Sequence, residues 1–173
     1  KANVVVFDKT GTLTYGHFTL SGSEVAPGVD KKHFWKAVAV TEKFSEHPIG
    51  RAIFKEATAR DSNIPDPTKV EVVSGAGVWA LWGTDEVLIG NEKILAAKGI
   101  IPAEDLSTRY EAKKSHGGVT VVYVYINSSF AGLLSVADTP RSEARESLRV
   151  LQKSGVRVIM LTGDNEEVAR SVS

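Results

Sequence analysis

Cysteine is absent from the 173 residues. That excludes disulfides and any thiolate metal site, and it fits a reducing compartment. No apolar run approaches the roughly 18 to 20 residues that a spanning helix needs. Neither sign of charge is in excess: 21 Lys and Arg balance 21 Asp and Glu. No imbalance therefore argues for nucleic acid, and no basic run suggests a membrane surface. The two familiar phosphate-binding loops are missing, since there is no Gly-x4-Gly-Lys-Ser/Thr string and no Gly-x-Gly-x-x-Gly after a strand. There is also no internal repeat, no low-complexity tract, no initiator Met and no signal peptide, so the chain is expected to be a piece of a longer protein. Its length suits one domain or two small ones.

What is present is most concentrated at residues 4–14, Val-Val-Val-Phe-Asp-Lys-Thr-Gly-Thr-Leu-Thr. Four apolar residues, three of them β-branched, predict a short buried strand of the parallel-sheet kind. Asp8 follows at its carboxyl end, the edge where open α/β sheets bind ligands. An acid there, ahead of Gly11 and several Thr hydroxyls, is a candidate reactive carboxylate. An isolated Asp-x-Thr-Gly would read as an ordinary cap or turn. The full string is longer than turn chemistry supplies.

Downstream, residues 21–29 are rich in turn formers and read as a linker. Asp30 is placed as the N-cap of a helix carrying Phe34, Val38 and Val40 inward. A second helix is expected from His47-Pro48 through Ile49, Ala52, Ile53 and Ala57, ended by the prolines at 65 and 67. Residues 69–73, 77–82 and 86–89 predict an antiparallel meander with one wet face. Helical spacing returns at 91–98 and again at 102–114. Two strands, 119–126 and 129–136, flank Asn127-Ser128 as a hairpin. A helix over 141–154 with Ala144, Leu148 and Leu151 inward precedes a second buried strand, 156–161, which ends in Thr162-Gly163-Asp164. Two such strands delivering Asp8 and Asp164 to one sheet edge predict a discontinuous α/β domain, with residues 23 to about 132 as an insert. His17, His33 and His116 lack metal-ligand spacing and read as surface residues, and Trp35, Trp79 and Trp82 as core or interface.

The string Asp8-Lys9-Thr10-Gly11-Thr12-Leu13-Thr14 resembles the phosphorylation motif of P-type ATPases, cation pumps that hold a phosphoryl group on an aspartate. The resemblance implies that Asp8 is the nucleophile toward the γ-phosphate and that Lys9 and the Thr10 to Thr12 loop hold the phosphoryl group. It also implies that Asp8 shares Mg²⁺ with the Thr10 carbonyl. Thr162, Gly163 and Asp164 resemble the second signature of the same family, and Asp138-Thr139-Pro140-Arg141 resembles its hinge segment, although a capped helix start reads equally well there. Related haloacid dehalogenase-like phosphatases usually carry a second Asp at the position of Thr10. A threonine cannot act as general acid and base near neutral pH, so a phosphoenzyme is expected to form and persist.

Glu42, Ser45-Glu46-His47-Pro48, Gly75-x-Gly77 and Gly90-Asn91 occur in the order and approximate spacing of the nucleotide-binding residues of heavy-metal (P1B) pumps. By that resemblance His47 meets the adenine, Glu42 accepts from its exocyclic amine, Gly75 and Gly77 let the backbone approach base and ribose, and Asn91 lies near the ribose or phosphates. Glu46 reads as a solvated helix-start acid. The implied fold is α/β: a partial haloacid dehalogenase-like phosphorylation domain (1–22 and 133–173), incomplete at its carboxyl side, with an inserted α+β nucleotide-binding domain (23–132) on an antiparallel sheet. ATP and Mg²⁺ are the implied cofactors. The implied partners are the transported metal ion, a membrane, and the actuator and metal-binding domains of a parent pump, with the chain as its cytosolic part. Copper is the first expectation, with zinc, cadmium or lead next. A Gly-Asp-Gly-x-Asn-Asp segment supplying a second Mg²⁺ carboxylate is expected past Ser173, so in this piece nucleotide binding should survive better than phosphoryl transfer. Two other readings remain open, a stand-alone phosphatase of the same broad fold and a non-catalytic ATP-binding module.

Overall fold

The β-branched and aromatic run over 119–126 and the mixed segments 129–140 and 14–25 that pair alongside it build one half of a six-stranded antiparallel sheet. The structure, a computed structural model, describes residues 3–102, Leu106, Thr108 and 119–161. Its large sheet comprises β2 (Thr14–Val25), β3 (Lys69–Val73), β4 (Gly77–Trp82), β5 (Asp85–Gly90), β6 (Val119–Ile126) and β7 (Ser129–Pro140), in the order β2-β7-β6-β5-β4-β3. Asn127 and Ser128 both take positive φ, 51° and 60°, the backbone of a two-residue hairpin between β6 and β7 whose twist matches the strands it joins.

Both faces of the central strands are covered. On one, α1 (Lys31–Glu42) and α2 (Pro48–Thr58) bring Phe34, Val38 and Ile53 onto Val87, Ile89, Val122, Val124, Leu134 and Val136. The Asp30 carboxylate accepts from the backbone N–H of His33 at 2.7 Å and caps α1 as expected. On the other face, α3 (Glu92–Ala97) sets Ile94 and Leu95 against Leu88, Val121, Tyr123 and Leu133. The expected wet face of the meander is therefore confined to its edge. Val72 of β3 is well exposed, whereas β5 is buried on both sides because α3 folds back over it.

A separate two-stranded parallel sheet pairs β1 (Val4–Asp8) with β8 (Arg157–Leu161), in register from Val4 opposite Arg157 to Asp8 opposite Leu161. The helix α4 (Ala144–Lys153) packs against β8. Burial of this pair is one-sided, contrary to the reading of both as buried strands. Val4, Val6 and Ile159 are exposed and Val5, Phe7 and Val158 half-buried, because parallel strands need a layer on each face and the described residues cover only one.

Three further expectations are corrected. Residues 21–25 are not linker: β2 continues to Val25 with Ser23 opposite Leu134, after an irregularity between Leu20 and Gly22 that absorbs the small residues. The strand expected to end at Val136 runs to Pro140, so the helix expected from Arg141 begins at Ala144. His33 is not a bare surface residue, since it stacks on Trp82 with ring centroids 5.6 Å apart and lies 3.1 Å from Asp85. The helix expected at 102–114 and His116 lie largely or wholly outside the described residues.

Candidate functional site

Asp8 closes β1 as an exposed carboxylate opposite Leu161. Lys9 and Thr10 follow in a single π-type turn, Lys9–Leu13. Thr162, Gly163 and Asp164 lie outside the described residues. The turn is held from behind by residues 124 or more positions away. Thr14 Oγ1 accepts from the backbone N–H of Gly11 at 3.1 Å and donates to Asp138 Oδ2 at 2.5 Å. Arg141 donates from Nε to the Thr14 carbonyl at 3.1 Å and from Nη2 to the Gly11 carbonyl at 3.2 Å, with its guanidinium 4.8 Å from the centre of the Tyr15 ring. Its backbone N–H donates to the Leu13 carbonyl at 3.0 Å. Asp138 is buried, and its Oδ1 has no hydrogen-bond partner among the described residues.

The sequence did not identify Thr14 and Asp138 as a pair. The available signal was the Asp138-x-x-Arg141 spacing, equally compatible with a helix start. Arg141 holds three backbone carbonyls here, those of Gly11 and Leu13 in the turn and that of Thr14 at the start of β2. The loop after Asp8 is thereby tied to the end of β7, and the small sheet to the large one.

A second cluster gathers at the β3–β4 turn. Gly75 turns the chain with φ 68°, and nothing lies within 4 Å of where a Cβ would stand. Gly77 and Gly90 are cross-strand partners, and a Cβ on either would overlap backbone of the opposite strand. Packing thus supplies its own reason for those two glycines. Asn91 caps α3, its Oδ1 accepting from the Lys93 backbone N–H at 2.9 Å, while its Nδ2 donates to the Gly75 carbonyl at 3.0 Å. These four residues meet directly.

Glu42 and His47 sit at the α1–α2 junction. His47 is exposed and caps α2, its Nδ1 accepting from the Ile49 backbone N–H at 3.3 Å. Glu42 is the last residue of α1 and only 4% exposed. Burial pushes its carboxyl up from the usual 4.5 to about 7, while a hydrogen bond from the Ser45 hydroxyl opposes the rise. Its Oε2 has no hydrogen-bond partner among the described residues. The helix α1 packs on β4 and β5 and starts beside Trp82 and Asp85, at the turn between those two strands. The orphaned oxygen and the open space beside Gly75 are both features that a flat ligand with N–H donors fits. At the other cluster, the Asp8 carboxylate and neighbouring carbonyls are hard oxygen donors of the kind Mg²⁺ prefers.

Comparison with known proteins agrees with this fold. The family model for haloacid dehalogenase-like hydrolases matches residues 2–173. A probable copper-exporting P-type ATPase of Archaeoglobus fulgidus is 34% identical over the whole chain, which spans 21% of that relative's length. A silver-exporting P-type ATPase of Salmonella typhimurium is 33% identical, again over the whole chain and 21% of its own length. Among solved structures, a zinc-transporting PIB-type ATPase in its E2·Pi state superimposes with a TM-score of 0.75 at 30% identity, over 99% of this chain and 27% of that one.

Proposed function

The chain belongs to the haloacid dehalogenase-like hydrolases, and from that premise we propose that it is the catalytic cytosolic part of a heavy-metal P1B-type ATPase, binding ATP beside α1 and α2 and accepting its γ-phosphoryl group on Asp8. The observation that carries this reading is the string Asp8 to Thr14 at the carboxyl end of a parallel strand, with its turn clamped by Thr14, Asp138 and Arg141. Residues 1–22 and 133–173 then form the phosphorylation part and 23–132 the nucleotide part. The boundary crosses β2 and β7, which pair with each other on both sides of it.

The nucleotide is held by Glu42, His47, Gly75, Gly77, Gly90 and Asn91. The Glu42 carboxyl accepts from the exocyclic amine of adenine, and Gly75 admits the ligand where a side chain would stand. An Asp8 oxygen attacks the γ-phosphorus in line. The new O–P bond forms as the bond to the β,γ-bridging oxygen breaks, and ADP leaves with that electron pair. The Asp8 carboxylate and the Thr10 carbonyl would hold Mg²⁺, whose charge would offset that gathering on the phosphoryl oxygens. Lys9, Thr162, Gly163 and Asp164 complete the phosphoryl site. Thr10 offers no carboxyl to activate water, so the acyl phosphate outlasts its formation.

Energy stored in that bond drives a metal ion across a membrane in the parent protein, together with actuator and metal-binding domains. Copper is proposed first, because the copper and silver exporters align with the whole chain, with zinc, cadmium or lead next. The experiment is incubation of the full-length protein with γ-labelled ATP and Mg²⁺. An acid-stable, hydroxylamine-labile label that Asp8→Asn abolishes is expected, and a label that survives Asp8→Asn defeats the assignment. A purely ATP-binding module is the second reading, favoured by the orphaned Glu42 oxygen, which serves binding alone.

A further inference from the structure

We propose that Gly50 and Ser45 are positioning residues that seat the Glu42 carboxyl and thereby set a preference for adenine over guanine nucleotides. The inference rests on the nucleotide reading above and goes one layer behind it, to two residues that no ligand need touch.

Gly50 lies in the first turns of α2 and is buried. A Cβ built there would overlap Ser45 Oγ, Ser45 Cβ and Glu42 Oε2 together. These are the atoms that define where the carboxyl rests. Ser45 is fixed in turn by its backbone N–H, which donates to the Glu42 carbonyl at 3.0 Å and closes the chain after α1. Its hydroxyl hydrogen-bonds the Glu42 carboxyl. The carboxyl's Oε2, also buried, has no hydrogen-bond partner among the described residues. Gly50 is the contact that leaves room for Oε2 where it stands.

The consequence for recognition follows from the two bases. Adenine offers N–H donors from its exocyclic amine where guanine offers a carbonyl acceptor. In its ionised form the buried carboxyl accepts only, so it then completes its hydrogen bonding with the first and is left facing another acceptor with the second. A carboxyl held in one place discriminates; one pushed aside by a methyl group does not. Removing the Ser45 hydroxyl loosens the seat without filling it, and should have a smaller effect in the same direction.

The test is calorimetric titration of the 173-residue protein, Gly50→Ala and Ser45→Ala with ATP and with GTP, beside the melting temperature of each free protein. The ATP to GTP affinity ratio is expected to fall about tenfold in Gly50→Ala, the scale of one hydrogen bond to a charged group, and about threefold in Ser45→Ala, with GTP binding held. If Gly50→Ala does not fold, Ser45→Ala decides. An unchanged ratio in Ser45→Ala and in folded Gly50→Ala, with both nucleotides weakened alike or neither, overturns the proposal, as does a wild-type protein that binds both equally. A wild-type protein that binds neither nucleotide overturns the underlying nucleotide reading as well, which separates the two failures.

Discussion

Replacing Glu42 with Gln should remove a pH dependence from the stability of the free protein. The carboxyl titrates near 4.5 when the chain is unfolded and near 7 when it is buried at the end of α1. A folded state that binds its proton more tightly than the unfolded state loses stability as pH rises. The loss begins near pH 4.5 and is complete just above pH 7. At about 1.4 kcal/mol for each tenfold change in proton affinity, the gap is worth about 3 kcal/mol in all. Most of it falls between pH 5 and 7. Urea unfolding of wild type and Glu42→Gln at pH 5, 6, 7 and 8 measures it. The informative quantity is the difference between the two proteins at each pH, in which the contributions common to both cancel. That difference should move by roughly 2 to 3 kcal/mol in favour of the Gln variant as pH rises from 5 to 8. A difference that stays flat, or moves the other way, would refute the assignment of a buried carboxyl that prefers to be neutral. The same burial predicts that ATP, by donating to this group, favours its charged form and releases a proton near neutral pH. Titrations in buffers of different ionisation heat would register that release.

Three further outcomes follow. Thr14→Val removes the donor to the buried Asp138 and the acceptor for Gly11 N–H, and should cost about 1 to 3 kcal/mol of stability. In a double-mutant cycle with Asp138→Asn the two changes should couple, and strict additivity would argue against a direct bond. Asn91→Ala should lose about 1 kcal/mol as a helix cap, together with its tie to Gly75, read out as faster amide exchange in the β3–β4 turn. Ile53→Ala, fully buried between α2 and the sheet, should destabilise by about 2 to 5 kcal/mol in denaturant unfolding.

Local periodicity made the helices and the β6–β7 hairpin legible, because Phe34 with Val38, and Ile53 with Ala57, repeat at helical spacing and Asn127-Ser128 tolerates positive φ. The Ser- and Gly-rich stretch around Ser21 to Ser23 misled, since its strand character comes from pairing with β7 and not from its own side chains. Gly77 and Gly90 were legible as glycines that matter, yet their close approach to one another depends on strand register, which composition does not encode. The Thr14–Asp138 bond spans 124 residues and needed the fold to bring its ends together. Exposure of Val4 and Val6 was hidden for a similar reason: an apolar strand looks the same whether one face or two are covered. Glu42 stood out in sequence by resemblance alone, and its burial beside Gly50 depends on how α1 meets α2.

The central claim is that Asp8 carries the phosphoryl group. Its most direct test is borohydride trapping of the full-length protein after incubation with ATP and Mg²⁺, followed by peptide mass analysis, because reduction converts an aspartyl phosphate to homoserine. Homoserine at position 8, absent without ATP, is the predicted result. An unmodified Asp8 in protein that holds the label, or homoserine at a different aspartate, would contradict it.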